Sequence, residues 1–436
     1  MQASLLVVAL FGLVATTSHA APKTDHADSP QVVRKAEDET ARKWILSLPK
    51  QVRKWLTAVQ HKPEPGEPWG LFTFSADSKI PYSIPSTRMA WHYLDLCGGV
   101  EKMPGCHSKA KAEMAAWIQK HQDPKSHQFI DPLIESCVAE INDPNVRYTF
   151  REAVSKYAMG LLAQCDAKPL YPYTPGANEE GEIDPEHYLK FIKAGDWDKS
   201  AWGIGSHAAL QTVHLFKMVN EGHEELIPTL IEGAEFIVSK QNPRTGMWGV
   251  DKADLCQQIG GAVKVIGRFQ WYMGMISPHM DKLADSIIAN HRSGAFYATD
   301  GSPCVPRNVA EMAYACMEAS DYRRDELREV LVGLVAELKR YSRADGSFSE
   351  TWGGTNSVGW CQARVAEKSL KPRADIVGAQ LVADTAFRLY ERVGWTGGTW
   401  QNVKNWRTIL KEAHNKYEIS CDANGKVSVT QRKPEK

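Results

Sequence analysis

The richest run of reactive side chains in this 436-residue sequence lies between residues 196 and 207. It contains the carboxylate of Asp198, the indole of Trp202 and the imidazole of His207. A histidine can act as a general base near neutral pH, and an indole can stack on a sugar ring. The alternative is structural: Trp202 fills a core, and Ser206 caps a helix that carries His207. The sequence leaves both interpretations open.

A second group lies on an apolar segment near residue 264. Lys264 and Arg268 are spaced one helical turn apart among apolar and small residues, and Tyr272 follows one turn later. Buried cations need partners. These two cations therefore either pair with carboxylates such as Asp251 or Asp254, or face an anionic ligand.

Further candidates stand where other buried segments are expected to begin. Arg307 and Asn308 open one such segment, and residues 343–372 form a long stretch rich in Gly and Ser. Long ordered loops in compact domains are often binding loops, and this one carries Glu350 and Trp352. The alternative is a solvated excursion. The remaining candidates are Arg88 and Tyr148, at equivalent starts, and Trp248, in a turn.

The composition and the motifs exclude several classes of protein. Lys and Arg total 52, as do Asp and Glu, so the sequence lacks the basic excess of a nucleic-acid-binding protein. No P-loop, GxSxG, HExxH or EF-hand motif occurs, and no Cys/His cluster has zinc spacing. We therefore expect no metal, no cofactor and no nucleic-acid partner.

The start of the sequence predicts export. Leu5–Ala15 is an apolar run too short to span a bilayer, which needs about 20 residues. Ser18-His19-Ala20 then gives a small-x-small pattern. We expect a signal peptide cleaved after Ala20, a secreted or periplasmic protein, and no membrane span in the later sequence.

Nine cysteines follow the predicted cleavage site. An oxidising compartment permits disulfides, and the odd number leaves at least one thiol unpaired or intermolecular. Cys97 and Cys106 flank a short loop containing Gly and Pro. The spacing allows a disulfide between them but does not decide whether it forms.

The sequence around these candidates is dominated by helical periodicity. In residues 326–341, apolar side chains recur at spacings of three and four, and charged side chains take the opposite face. Segments near 205, 257 and 375 are apolar or small all round, whereas those near 108, 224 and 324 have a charged face. This alternation predicts six helical hairpins with an inner and an outer ring. About twelve segments occur in all, near 41–59, 86–97, 108–121, 146–165, 205–219, 224–240, 257–275, 280–290, 307–319, 324–342, 375–392 and 400–417.

Three turns between these segments share one pattern. Gln122–Phe129 and Gln241–Trp248 both begin with Gln, Asp or Asn, and Pro, and both end on an aromatic residue, while 343–348 is a degenerate copy. Pro stops the helix, Gly or its substitute turns the chain, and the aromatic side chain anchors the return. Their spacing fits two hairpins per repeat.

The end of the sequence departs from helix. Tyr417–Ser420 and Lys426–Val429 alternate around Asn424-Gly425, which predicts a hairpin with a type I′ turn. We therefore divide the chain into a signal peptide (1–20), a polar leader (21–40), a helical domain (41–417) and a β-hairpin tail (418–436).

The repeated turns resemble the outer-helix-to-inner-helix turns of α/α toroids. That group includes terpenoid cyclases, protein prenyltransferases and many polysaccharide lyases and glycosidases. The motifs that carry the resemblance are Q-(D/N)-P-x-(S/T)-G-x-(F/W) and D-G-S-F-x-x-x-W-G. The resemblance implies an all-α fold, an (α/α)6 toroid of about twelve helices in six hairpins, to which the tail adds a small β-hairpin. No DDxxD-type segment and no prenyltransferase zinc-ligand pattern is present.

Export, the resemblance, tryptophan-rich turns and cationic helix starts favour a secreted polysaccharide lyase or glycosidase, acting on a polysaccharide or oligosaccharide that either contains or lacks uronic acid. In a lyase, Arg or Lys would neutralise the uronate carboxylate, and His207, Tyr148 or Tyr272 would remove the α-proton. In a glycosidase, Asp198 and Glu350 would be the two carboxylates. The alternatives are an exported toroid that binds without catalysis and a terpenoid-cyclase-like enzyme. The predicted substrate-binding residues are Trp202, Trp248, Trp352, Arg88, Arg268, Arg307 and Asn308.

Overall fold

The computed structural model describes residues 30–76, 78–138, 144–173, 185–250, 254–298, 302–343, 347–349, 374–400 and 415–432. These ranges contain thirteen α-helices and two β-strands, which confirms the all-α class. In chain order the helices are α1 (Pro30–Val59), α2 (Ile84–Leu96), α3 (Ala110–Gln119), α4 (Pro132–Val138), α5 (Pro144–Gln164), α6 (Pro185–Ala194), α7 (Ala201–Glu221), α8 (Ile227–Val238), α9 (Leu255–Arg268), α10 (Met280–Arg292), α11 (Cys304–Ala319), α12 (Arg324–Lys339) and α13 (Ile376–Val393).

Most predicted segments coincide with a helix, and the differences have local causes. α1 begins at Pro30, inside the predicted polar leader, because proline is favoured in the first helical turn, where its missing N–H costs no hydrogen bond. α4 and α6 lie where the periodicity predicts no helix. They have only 7 and 10 residues, which leaves little pattern to recognise. The predicted segment at 400–417 falls mostly outside the described ranges.

Six helices make a series of contacts through the middle of the structure. α2 packs against α5 and α13, α9 packs against α7 and α11, and α11 packs against α13. We call α2, α5, α7, α9, α11 and α13 the inner helices. α3, α8 and α12 pack on this group from outside. These are three of the segments for which the sequence predicts a charged face.

The first and last helices in the described part of the chain, α1 and α13, are neighbours. α1 packs against both α12 and α13. The indole of Trp400, beyond α13, donates a hydrogen bond to the Ile45 carbonyl at 3.1 Å. The Arg42 guanidinium donates another to the Thr396 carbonyl at 2.9 Å. The chain that follows α13 therefore lies against α1.

The predicted repeat in the turns is confirmed in detail. Single antiparallel bridges join Gln122 to Phe129 and Gln241 to Trp248, and a third joins Ser342 to Phe348. In the first two turns, the buried Gln side chain donates to the carbonyl five residues on, at 2.9 Å in both cases. A fourth bridge, between Gln60 and Phe72, has no counterpart among the predicted repeats because its loop is longer and lacks the motif.

Glycines allow α7 and α9 to approach closely. A Cβ added at Gly261 would lie 2.9 Å from the Cβ atoms of both Ala201 and Trp248. One added at Gly260 would lie 2.5 Å from the ring of Trp202, and Gly205 faces the backbone of Gly261 from the other helix. Small residues at a helix crossing bring two backbones together. The spacing between the side chains that α7 and α9 present is therefore fixed by this contact.

The tail forms the predicted hairpin, with a different turn. β1 (Tyr417–Cys421) and β2 (Val427–Gln431) pair antiparallel, and the Val427 N–H donates to Glu235 of α8 at 3.0 Å. Among the residues of this turn only Gly425 has a positive φ, so the loop is not the predicted type I′ turn. The Asp422 carboxylate accepts the N–H groups of both Asn424 and Lys426, which stabilises a longer loop with Gly425 in the left-handed region.

Eight of the nine cysteines lie in the described part of the chain, and none of these eight forms a disulfide. Cys97 and Cys106 are among them, so the optional disulfide is not formed. Burial raises the pKa of the Cys97 thiol to about 12. Across the same ranges, none of the helices combines the length and the apolar character needed to cross a membrane.

We predict that Gly246→Ala destabilises the protein far more than Gly294→Ala, although both glycines have similar φ angles, 68° and 75°. A left-handed backbone costs alanine about 1–2 kcal/mol at either position. At Gly246 the added Cβ would also collide with the backbone of Leu283 and His279 at the start of α10, whereas nothing lies within 4 Å at Gly294. Urea unfolding should show a loss of about 3 kcal/mol for Gly246→Ala. Equal losses at both sites would contradict this packing.

Candidate functional site

Charged side chains from all six inner helices gather in one place. We call this group the central cluster. In the part of the chain that the structure describes, it contains six cations and two buried carboxylates, besides two histidines. Its members are Arg88 and His92 on α2, Lys156 on α5, His207 on α7, Lys264 and Arg268 on α9, Arg307 and Glu311 on α11, and Asp384 and Arg388 on α13.

Asp384 is the hub of one half of this cluster. Its carboxylate lies 3.0 Å from Nε of Arg307, 3.2 Å from Nε of Arg388 and 3.6 Å from Nε2 of His92. Burial opposes ionisation of Asp384, but Arg388, Arg307 and His92 together hold its pKa well below the usual range. Asp384 is therefore a permanent anion and cannot donate a proton near neutral pH.

Glu311 completes this half as a second bridge between α11 and α13. It is 1% exposed, and its carboxylate lies 3.4 Å from Nη2 of Arg307 and 3.2 Å from Nη1 of Arg388. Two carboxylates and two guanidinium groups thus alternate across the helix contact. Such an arrangement compensates the charge of both arginines and fixes their orientation.

The other half of the cluster is cationic and consists of Lys156, Lys264 and Arg268, close to His207. Burial, followed by Arg268 and Arg307, lowers the pKa of Lys264 to about 7. Burial and Arg268 also lower the pKa of Lys156, although Glu152 opposes the change. Within the described ranges, neither Lys156 nor Lys264 has a carboxylate within ion-pairing distance.

His207 lies among these cations on α7. Desolvation, then Lys156, Arg268 and Lys264, lower the pKa of its imidazole below 6.5. The side chain nevertheless has exposed surface, as does Lys156. His207 is therefore a neutral, accessible imidazole at pH 7, as a general base must be.

The two sequence interpretations of Lys264 and Arg268 can now be compared. The Asp254 carboxylate accepts the Cys256 N–H at 2.8 Å and caps the start of α9, so it does not pair with either cation. Asp251, the other proposed partner, lies outside the described residues. The anionic-ligand interpretation of these two cations stays a prediction.

The structure also separates the predicted residues around α7. The helix begins at Ala201, with Ser200 at the cap position, so Ser206 lies within the helix and is not its cap. Trp202 is half-buried in the first turn, and Asp198 is exposed in the preceding turn. Asp198 is not among the charges that shift the pKa of His207.

Trp248 is corrected from a substrate-stacking residue to a core residue. It is fully buried, and its indole donates to the Ile237 carbonyl at 2.9 Å, which leaves no ring face for a ligand. Tyr272 is 7% exposed in the π-helical turn at 269–273, which continues α9. It is therefore not the accessible proton acceptor that the sequence suggested.

Other predicted residues have mixed outcomes. Arg88, Arg268 and Arg307 belong to the central cluster, as shown above. Asn308 is 5% exposed beside Arg307, and its side-chain amide nitrogen has no hydrogen-bond partner. The Tyr148 side chain, Glu350 and Trp352 lie outside the described residues.

Sequence reasoning missed four members of the cluster: Lys156, Glu311, Asp384 and Arg388. Asp384 and Arg388 lie one turn apart in a helix that is otherwise largely apolar. Lys264 and Arg268 were selected because two charged residues lie one turn apart in an apolar segment. The same criterion, applied to every apolar segment, would have found Asp384 and Arg388. Lys156 gives no such signal, because α5 carries polar residues on several faces.

The surface of the described chain offers one further concavity, whose chemistry is not comparable with that of the central cluster. A surface concavity at the start of α12 is lined by charged residues that pair with one another, among them Arg323 with Glu326 and Arg324 with Asp321. Among the residues that the structure describes, no three His, Cys, Asp or Glu side chains are grouped so as to hold a metal ion.

We predict that Asp384→Asn lowers the free energy of unfolding at pH 7 by about 3 kcal/mol, because Arg307 and Arg388 lose their shared anion. The folded-state pKa of Asp384 is depressed, so its contribution is present above the unfolded value near 4 and is lost as pH falls below it. The wild-type protein should therefore lose stability below about pH 4 more steeply than the variant.

The matched control is Asp321→Asn, since Asp321 pairs with Arg324 on the surface with its side chain 91% exposed. We expect a change within about 0.5 kcal/mol there. Urea unfolding of the three proteins between acidic and neutral pH measures both effects. Parallel pH dependence of wild type and Asp384→Asn would contradict the role given to Asp384.

Comparison with known proteins adds no family to this description. Neither the scan against protein-family models nor the searches of curated proteins and of solved structures found a match to this chain. The function has therefore to be argued from the central cluster itself.

Proposed function

We propose that this chain is an exported polysaccharide lyase with an (α/α)6 toroid fold, which cleaves a uronate-containing polymer in a cleft at the central cluster. The observation that carries the proposal is an accessible, neutral imidazole, His207, close to Lys156 and Lys264, two cations that have no carboxylate within ion-pairing distance in the part of the chain that the structure describes. This is the pairing that removal of a proton next to a carboxylate requires.

The toroid part of the proposal is supported by the contacts of the inner helices. They follow one another from α7 through α9, α11 and α13 to α2 and α5. Lys156 of α5 influences the pKa of both His207 and His214 of α7, so these two helices also approach each other. A cyclic order of six helices with a second set outside is the arrangement of an (α/α)6 toroid.

The proposed reaction is a β-elimination in which all atoms are accounted for. The neutral imidazole of His207 takes the proton on the carbon next to the uronate carboxylate. The electron pair left behind forms a carbon–carbon double bond as the glycosidic carbon–oxygen bond breaks. The imidazolium of His207 returns its proton to the leaving oxygen, so the base is regenerated and the products are an unsaturated uronate and a new chain end.

The cations supply the main stabilisation in this scheme. Removing the proton places negative charge on the uronate carboxylate, and Lys156, Arg268 and Lys264 are the charges that act on His207. Preorganised positive charge in a desolvated site stabilises such a developing anion far more than water does. Lys264 is partly desolvated, so a neighbouring anionic ligand would stabilise the charged form of its ammonium group.

The charges of the cluster favour a lyase over a glycosidase. A glycosidase needs one carboxylic acid that donates a proton and a second carboxylate. Asp384 and Glu311 are both bound to arginines, and the pKa of Asp384 is held low. Asp198 is exposed in a turn. An exported protein that binds the polymer without cleaving it is the alternative that the experiment below distinguishes.

Export is part of the proposal because the predicted substrate lies outside the cell. It is supported by the sequence of residues 1–20, with its apolar run and small-x-small end. Mature protein that begins at Ala21 after expression of the whole chain would support it. Retention of residues 1–20 would contradict it.

We predict that His207→Ala lowers kcat/KM on a uronate polymer by about 10²–10⁴-fold, since it removes the base. The measurement is the ultraviolet absorbance of the unsaturated uronate on a panel of such polymers. His223→Ala is the control, because His223 is an exposed histidine at the end of α7 that pairs only with Glu225. If the wild-type protein binds a polymer without any absorbance change, the proposed lyase activity is wrong and the non-catalytic binding protein is the remaining alternative.

We also predict a bell-shaped pH profile of kcat/KM. The acidic limb lies below pH 6.5, because the base must be neutral and the pKa of His207 is lowered. The alkaline limb lies near pH 7, because Lys264 must be charged and its pKa is lowered to about 7 in the free protein. Lys264→Arg should move the alkaline limb upward, since arginine stays protonated. An unchanged alkaline limb in that variant would exclude Lys264 as its origin.

A further inference from the structure

We propose that a row of three side chains on α7, His207, Gln211 and His214, binds the hydroxyl groups of neighbouring sugars in the polymer. This inference rests on the proposed function and extends it, because Gln211 and His214 become binding residues for the sugar next to the one on which His207 acts. The ligand class is an oligosaccharide of at least two sugars, recognised along this row by hydrogen bonds between neutral groups.

The three residues lie on one side of α7. Positions that are first four and then three residues apart fall on the same face of an α-helix, one above the other. With a rise of about 1.5 Å per residue, the row from His207 to His214 is about 10 Å long. A single sugar ring is shorter than this, so the row can contact two sugars in sequence.

This face is the side of α7 that solvent reaches. His207 is exposed, and Gln211 and His214 are half-buried. Thr212 and Phe216, on the opposite side of the helix, are both buried. A ligand can therefore approach all three members of the row from the same side.

The hydrogen-bonding capacity of this row is unused among the described residues. None of the three side chains forms a hydrogen bond there, and His207 contacts Phe191 edge to face, with 6.4 Å between the ring centroids. The amide oxygen of Gln211 is also shielded from solvent. A buried carbonyl oxygen without a donor is costly, so turning this amide toward a ligand hydroxyl would stabilise it.

The row is uncharged near neutral pH, which fits it to hydroxyl groups. Burial, followed by Lys217, Lys156 and Arg268, lowers the pKa of His214 to about 4. A neutral imidazole has one N–H donor and one acceptor nitrogen, and the amide of Gln211 also offers both. A sugar hydroxyl likewise donates and accepts, whereas a carboxylate only accepts. The row is therefore better matched to hydroxyls than to carboxylates.

Lys264 of α9 lies beside the start of the row. A Cβ added at Gly205, two residues before His207, would lie 3.6 Å from the Cβ of Lys264. A uronate carboxylate bound by Lys264 would therefore place its own sugar at His207. The next sugar along α7 would then lie against Gln211 and His214.

The test measures Kd by titration calorimetry in the inactive His207→Ala protein. The probes are the di- and tetrasaccharides of polygalacturonate, alginate and hyaluronate. His214→Leu and Gln211→Met remove the hydrogen-bonding groups and keep side chains of similar size, whereas His214→Gln keeps a donor and an acceptor. His223→Ala is the control, because His223 is exposed at the end of α7 and pairs with Glu225.

We expect His214→Leu and Gln211→Met each to weaken binding of the tetrasaccharide about tenfold, the effect of one lost hydrogen bond. His214→Gln and His223→Ala should change Kd by less than about twofold. The losses should be the same at low and at high salt, because salt screens charges and not hydrogen bonds between neutral groups.

An unchanged Kd in both His214→Leu and Gln211→Met, or no binding of any probe to the parent protein, would overturn the inference. So would an equal loss in His214→Gln, which would show that shape and not hydrogen bonding matters. Elimination by the wild-type protein without these losses would support the lyase and overturn the row. The expected losses in a protein whose wild type shows no elimination would overturn the lyase and support the row.

Discussion

Six positive side chains share the centre of this protein, and their mutual repulsion is the constraint on which the rest of the structure depends. Asp384 and Glu311 relieve it on one side by binding both Arg307 and Arg388. Like charges in a desolvated region otherwise disfavour the folded state strongly. The cluster thus divides into one half in which two carboxylates bind both arginines and another in which Lys156 and Lys264 have no carboxylate within ion-pairing distance among the described residues.

The backbone is arranged to place these charges correctly. Glycines at the crossing of α7 and α9 set the distance between the helix that carries His207 and the helix that carries Lys264. The repeated turns fix where each inner helix begins, since their buried Gln side chains and aromatic anchors tie the end of one helix to the start of the next. The positions of the charged side chains therefore depend on glycines and turns that carry no charge themselves.

Much of the fold could be predicted because periodicity and turn chemistry are local. The repeat at Gln122 and Gln241 is visible in sequence, as is the apolar helix that carries Lys264. The cluster could be predicted only in part, because a sequence does not show which faces of six helices meet, and Lys156 and Glu311 look like ordinary surface residues. Trp248 illustrates the same limit, since an aromatic anchor and a sugar-stacking residue have the same signature. The tail turn was mistaken because the Asn-Gly signal competes with the side chain of Asp422.

The contact between α1 and the chain that follows α13 has a consequence for how the molecule folds. The bond from Trp400 to Ile45 joins residues 355 positions apart, so the two ends of the helical series are tied only when nearly all of the chain is available. Contacts of such long range cost loop-closure entropy and slow folding. The same closeness of the two ends favours circular permutation, because new termini could be opened in an outer turn while α13 is joined to α1.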